Sequence, residues 1–215
     1  MAVVARIFRV GVDFGFYHDP TALVVVEPRL DPERVDANGY PLVRFEVRFT
    51  ERVPLGTTAQ GIVSRITEIV DKLEARALRP QIEVFVDATG TGVAVKDLLA
   101  PELQRQGTHL FSIVITPGHT ERYEHGTLYV PKEALIQRLA VLLEQGRVLI
   151  PKEEEFLRKE LESFQVKISE ATRRPKYEAP SGEHDDLVIA LALAVYKDVP
   201  WEVLVSKPVR PRWGL

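Results

Sequence analysis

Three short acidic stretches in this 215-residue chain stand where carboxylates can converge. Asp13 follows an apolar run in Gly11-Val12-Asp13-Phe14-Gly15. Asp87 ends the run Val84-Phe85-Val86 ahead of the turn Ala88-Thr89-Gly90, and Glu183-His184-Asp185-Asp186 leads into the apolar stretch Leu187 to Val195. Hard divalent cations take oxygen ligands, and Mg²⁺ commonly uses one or two carboxylates while keeping waters and phosphate oxygens. Two such ions, roughly 3.5–4 Å apart, stabilise the attacking and leaving oxygens of an in-line phosphoryl displacement, and three or four convergent carboxylates suit that chemistry.

Each position also has a purely structural reading. An Asp at a strand end often serves as a turn residue. Asp185 or Asp186 at a helix start reads as an N-cap. His184 reads as a capping or surface residue, and His18, His109, His119 and His125 have no ligand-like spacing. The catalytic reading rests on all three stretches falling at matching ends of apolar elements.

Those elements follow from periodicity. Arg6 to Phe14, Thr21 to Glu27 and Leu42 to Arg52 alternate as strands and imply an antiparallel meander, with Pro28 to Pro41 as a turn or hairpin loop. From Thr57 the apolar spacing becomes helical, with Thr57-Thr58-Ala59-Gln60 as a capping box and an end near Arg79-Pro80. Ile82 to Val86, a helix over Val93 to Leu103, and His109 to Ile115 complete a strand-helix-strand crossover, the pattern of a parallel sheet. Such sheets place ligands outside the carboxyl ends of their strands, where Asp13 and Asp87 stand.

A third helix is expected between Pro131 and Gly146. A fourth spans Glu153 to Ser163, with Phe156, Leu157, Leu161 and Phe164 on one side. Gln165 to Glu170 and Pro175 to Ala179 form a β-hairpin around a basic turn, and a buried helix spans Asp185 to Tyr196. The fold class is therefore α/β, a mixed sheet flanked by helices with a hairpin before the last helix. Residues 1–198 form one domain and 199–215 a tail or linker.

Bulk properties narrow the function. With 28 Lys plus Arg against 31 Asp plus Glu, the net charge of −3 gives no global sign of nucleic-acid binding, so DNA contact must come from local basic patches. The absence of cysteine excludes disulfides, thiolate metal sites and cysteine nucleophiles. No long apolar run or leader pattern is present, and the chain reads as cytoplasmic with no membrane partner.

Val12-Asp13-Phe14-Gly15 with Asp19-Pro20-Thr21-Ala22, then Val86 to Gly92, then His184 to Ala192, resemble in order and spacing the successive motifs of the nuclease domain of phage DNA-packaging terminase large subunits. The resemblance spans about residues 8 to 198. It implies an RNase H-like fold and an endonuclease that cuts concatemeric viral DNA. Asp13 would be the central ligand of two Mg²⁺ or Mn²⁺ ions, Asp87 the second, and Asp185 with Asp186 the final pair. The implied partners are double-stranded DNA, the ATPase motor, the portal and the small terminase subunit. With no Gly-x-x-x-x-Gly-Lys-Ser/Thr sequence, the chain reads as an isolated nuclease domain.

Phosphate contacts are expected from the turn holding Arg173, Arg174 and Lys176, with Lys132 and Arg122 as further candidates and a solvated loop as the competing reading. The Thr89-Gly90-Thr91-Gly92 turn offers backbone N–H groups to a phosphate. Two other functions share parts of the pattern. A nucleotide-binding domain of the sugar kinase and actin superfamily has similar phosphate loops, but needs two such domains and gives no role to His184-Asp185-Asp186. A Holliday-junction resolvase shares both fold and chemistry. A catalytically silent scaffold for portal or motor proteins would not need the acidic positions.

Overall fold

A computed structural model describes residues 6–15, 19–168, 175–178, 185–200 and 203–204, leaving aside the side chains of Pro32, 165–168 and 175–178. The chain runs β1 (Ile7–Asp13), β2 (Ala22–Val35), β3 (Pro41–Arg52), α1 (Ala59–Glu74), β4 (Gln81–Asp87), α2 (Gly92–Gln106) and β5 (His109–Thr116). It continues β6 (Arg122–Glu124), β7 (Thr127–Pro131), α3 (Lys132–Glu144), β8 (Val148–Leu149), α4 (Glu155–Ser163), β9 (Gln165–Ile168), β10 (Pro175–Glu178) and α5 (Asp186–Val195).

Among the described residues, eight strands form one mixed sheet in the order β6-β7-β5-β4-β1-β2-β3-β8, and β9 and β10 form a separate antiparallel pair. β1, β2 and β3 are the expected antiparallel meander, while β1, β4, β5 and β7 run parallel in succession. The period-two alternation of strands divides the core between the two sheet faces. Phe8, Val10 and Val12 of β1 and Val84 and Val86 of β4 pack with α1 and α2. Ile7 and Phe85 pack on the other face with α3 and α5.

The structure corrects several boundaries. β2 runs on to Val35 through the stretch expected to be a loop, because its charges are absorbed in ion pairs. Arg6, Arg29 and Arg48 all meet Glu27, and Arg34 meets Asp31. Pro28 lies beyond the last β1–β2 pair, Arg9 with Val26, where β2 needs only one neighbour. α1 stops at Glu74 rather than near Arg79. Its cap is Thr58, whose hydroxyl accepts from Gly61 N at 3.1 Å, so no reciprocal Gln closes a capping box.

The β6–β7 hairpin was not anticipated. Its two-residue turn, His125-Gly126, has φ of 48° and 80°, the positive values that tight hairpins need. α4 buries Leu157 and Glu160, while Phe156, expected on its apolar side, is exposed. Of the stretch 199–215, Val199 and Leu204 pack into the core on the α5 face. No helix among the described residues is long and apolar enough to cross a membrane.

Candidate active site

Strand alternation determines which way the two strand-end carboxylates point. Asp13 shares its face of β1 with Gly11, and Asp87 shares its face of β4 with Phe85, so both side chains lie on the α5 side of the sheet. β1 and β4 pair in parallel with Val12 opposite Val86, which brings Asp13 and Asp87 to the next step on neighbouring strands. α5 crosses this face at backbone contact. A Cβ on Gly11 would stand 1.9 Å from the Ala190 carbonyl oxygen, so only glycine permits the crossing. That close approach delivers the start of α5, with Asp185 and Asp186, to the strand ends.

The four aspartates line one cavity of about 470 Å³, together with Phe14, Asp19, Thr89, Thr91 and Ile115. Lys132 is the one basic side chain lining it among the described residues. Its ammonium lies 3.1 Å from Asp185 Oδ2. Lys132, a candidate phosphate contact just inside the third helix, is the first residue of α3, and because β7 ends at Pro131 and turns directly into that helix, it lies inside the carboxylate pocket.

Asp13 lines the cavity and is half-buried. Burial, and then the neighbouring charges of Asp87, Asp186 and Asp185, push its carboxyl well above the usual carboxylate range, with Lys132 pulling the other way. Burial also raises Asp87, while hydrogen bonds in the turn and Lys132 oppose the shift. Asp87 Oδ1 accepts from Thr89 N at 2.8 Å and from the Thr89 hydroxyl, whose oxygen accepts from Ile115 N. One oxygen of Asp87 therefore serves the turn, as the structural reading expected. Asp185 departs from its structural reading: it occupies the N-cap position of α5, but its side chain makes no capping bond. Asp186 is buried in the first turn.

Among the described residues, no three carboxylate or imidazole groups form a ready metal-ligand cage. The arrangement is instead an open pocket with all-oxygen donors, surplus negative charge and room for water and phosphate oxygens. A hard cation that takes few carboxylates directly fits this donor set.

The remaining sequence candidates lie elsewhere. Arg122 is on the edge strand β6, its guanidinium 4.3 Å from the Tyr129 ring centroid and paired with Glu124, and it does not line the cavity. Arg173, Arg174, Glu183 and His184 lie outside the described residues, as does the side chain of Lys176 in β10. Sequence reasoning assigned no role to Asp19 or Ile115, and gave Thr91 only a backbone one. Asp19 sits in the Asp19-Pro20-Thr21-Ala22 motif, which was the available signal.

The terminase RNase H-like domain family matches residues 10–197. No curated protein matches the chain in sequence. Among solved structures, the large terminase nuclease of thermophilic phage G20c with bound cobalt is 26% identical, covers 89% of this chain and 81% of its own, and superposes with a TM-score of 0.60. The manganese-soaked terminase nuclease domain of human cytomegalovirus is 14% identical over 87% of this chain and 81% of its own, with a TM-score of 0.55, a likeness of fold.

Proposed function

The chain belongs to the terminase RNase H-like domain family, and from that premise we propose that it is a divalent-metal-dependent endodeoxyribonuclease that cuts concatemeric viral DNA during genome packaging. The observation that carries the proposal is the single pocket shared by Asp13, Asp87, Asp185 and Asp186 at the carboxyl ends of β1 and β4. Cobalt in the phage nuclease and manganese in the cytomegalovirus domain support a divalent cation here.

Asp13, Asp87, Asp185 and Asp186 would hold two Mg²⁺ or Mn²⁺ ions. When bound, such ions supply an activated water and neutralise charge on the leaving oxygen of an in-line displacement. The protein contributes the placement. Asp13 lies half-buried among three other aspartates, where a bound cation would relieve the repulsion that opposes its ionisation. The Thr89 turn fixes Asp87 through Oδ1 while the residue lines the pocket. Lys132 balances part of the carboxylate charge and stands ready to meet a phosphate oxygen. The reaction is hydrolysis, leaving 5′ phosphate and 3′ hydroxyl ends without a covalent intermediate.

Affinity would come from phosphate contacts at Arg173 and Arg174, which lie between β9 and β10 in the sequence, and at Lys176, with Arg122 as a further contact, and would carry little sequence preference. The partners are double-stranded DNA and the packaging machinery: motor, portal and small subunit. A motor that holds DNA beside the domain would raise its effective concentration. The test is to compare Mn²⁺-dependent cleavage of linear duplex and of four-way junctions of the same sequence. Comparable rates support the packaging nuclease, a large preference for junctions transfers the chain to resolvase chemistry, and cleavage of neither contradicts a nuclease role.

A further inference from the structure

We infer that Glu160 is the positioning residue of this site, capping α5 from a neighbouring helix so that the Asp185 carboxylate is directed to the pocket rather than to the helix amides. The inference rests on reading the four aspartates as a cation site.

The first N–H groups of a helix have no partner within it, and an Asp at the N-cap ordinarily accepts from them with its own side chain. α1 behaves in that way, through Thr58. In α5 the capping bonds come from outside the helix. Glu160 Oε2 accepts from Leu187 N at 3.0 Å and Val188 N at 3.2 Å. Its other oxygen meets the guanidinium of Arg52, the last residue of β3. Glu160 is 5% exposed, and it is the one charged side chain that α4 buries. An isolated carboxylate at that depth would be costly, but two backbone donors, an arginine and the positive end of a helix satisfy it.

The far end of α5 is also fixed. Arg9 pairs with Glu83 at 2.8 Å across β1 and β4, and its guanidinium donates to the carbonyls of Lys197 and Asp198 just beyond the helix. Gly11 sets the height of the crossing between these two ends. Without Glu160, the open amides of Leu187 and Val188 would compete for the Asp185 carboxylate, which now pairs with Lys132, and turn it away from the pocket.

The test uses Glu160→Gln, which keeps the shape and removes the charge, and Arg52→Met, which keeps Glu160 and removes its anchor. The readouts are Mn²⁺ binding, followed by electron paramagnetic resonance of the free ion, and amide hydrogen exchange in metal-free protein. Glu160→Gln should weaken Mn²⁺ binding by about 10- to 100-fold, the effect usual for outer-shell partners of a metal site. It should also speed exchange at Leu187 and Val188. Arg52→Met should act in the same direction. Leu73→Ala, a destabilising change in α1 on the sheet face opposite α5, should leave Mn²⁺ binding unmoved. If Asp13→Asn removes Mn²⁺ binding while both Glu160→Gln and Arg52→Met bind as the parent does, the positioning role is overturned and the cation site stands. Loss in Leu73→Ala equal to that in Glu160→Gln also overturns it, since the effect would then be general loosening. Unchanged binding in Asp13→Asn removes the cation-site reading and the inference with it.

Discussion

Lys132 reaches from the first residue of α3 to Asp185 at the N-cap of α5, with 3.1 Å between the ammonium and the carboxylate. The contact gives the carboxylate pocket its basic group and explains why Asp185 leaves the helix amides to another residue.

Replacing Lys132 should therefore destabilise the metal-free protein. Lys132 pulls the carboxyls of Asp13 and Asp87 downward against burial. Lys132→Met should lower stability at pH 7 by about 0.5–1 kcal/mol, a small value because both partners are partly solvated. The loss should fade as pH falls and the carboxylates become neutral. Urea denaturation from pH 4 to 8 in EDTA checks this, and a loss that does not vary with pH would count against it.

Asp13→Asn should have the opposite effect. Asp13 is held well above the usual carboxylate range by burial and then by the charges of Asp87, Asp186 and Asp185, so the metal-free fold favours its neutral form. Its contribution is therefore most favourable below the unfolded value near 3.8 and is lost as pH rises towards the folded pKa. Removing the charge should raise the metal-free melting temperature at neutral pH by roughly 2–4 °C per kcal/mol relieved. The gain should vanish at acidic pH. In the parent, metal affinity should rise with pH over the same interval, because the cation competes with a proton.

Gly11→Ala tests the helix crossing. The new Cβ would lie 1.9 Å from the Ala190 carbonyl oxygen and 3.0 Å from Ala194 N, so α5 must lift. Overpacking of this kind costs about 1–3 kcal/mol. A displacement of 1 Å at the aspartates can cost on the order of 10²-fold in rate. Chemical denaturation and metal-dependent cleavage should both respond. Full activity together with lost stability would show that the height of α5 does not matter to the site.

Arg173→Ala with Arg174→Ala should weaken DNA binding about equally for different sequences and flatten its salt dependence. Each lost phosphate contact should reduce the slope of log affinity against log salt by about 0.9. Fluorescence anisotropy between 50 and 200 mM salt measures it, and an unchanged slope would return the turn to a solvated loop.

The parts of the site that sequence could reveal are those set by alternation and by strand ends. Asp13 and Asp87 follow from apolar runs that stop at a carboxylate, and the order of elements carried the mixed sheet. Lys132 was expected just inside the third helix, where it stands, but its pairing with Asp185 was not legible, because that depends on β7, five residues after a three-residue strand and a two-residue turn, too short to show a period. Glu160 was missed for a different reason. A single Glu in an amphipathic helix looks solvated, and only the tertiary meeting of α4, β3 and α5 supplies the donors that allow its burial. The run from Pro28 to Val35 looked like a loop because charge and proline usually mark one. Ion pairs around Glu27 and Asp31 make it a strand instead.

The most direct measurement is nicking of supercoiled plasmid in Mn²⁺, Mg²⁺ or EDTA by the parent, Asp13→Asn and Asp87→Asn. Nicking by the parent should require a divalent ion and fall by roughly 10²-fold or more in each variant, the scale on which losing a charge-stabilising group acts. Variants that nick as fast as the parent, or a parent that cuts equally well in EDTA, would contradict the claim that these aspartates form a metal-dependent nuclease site.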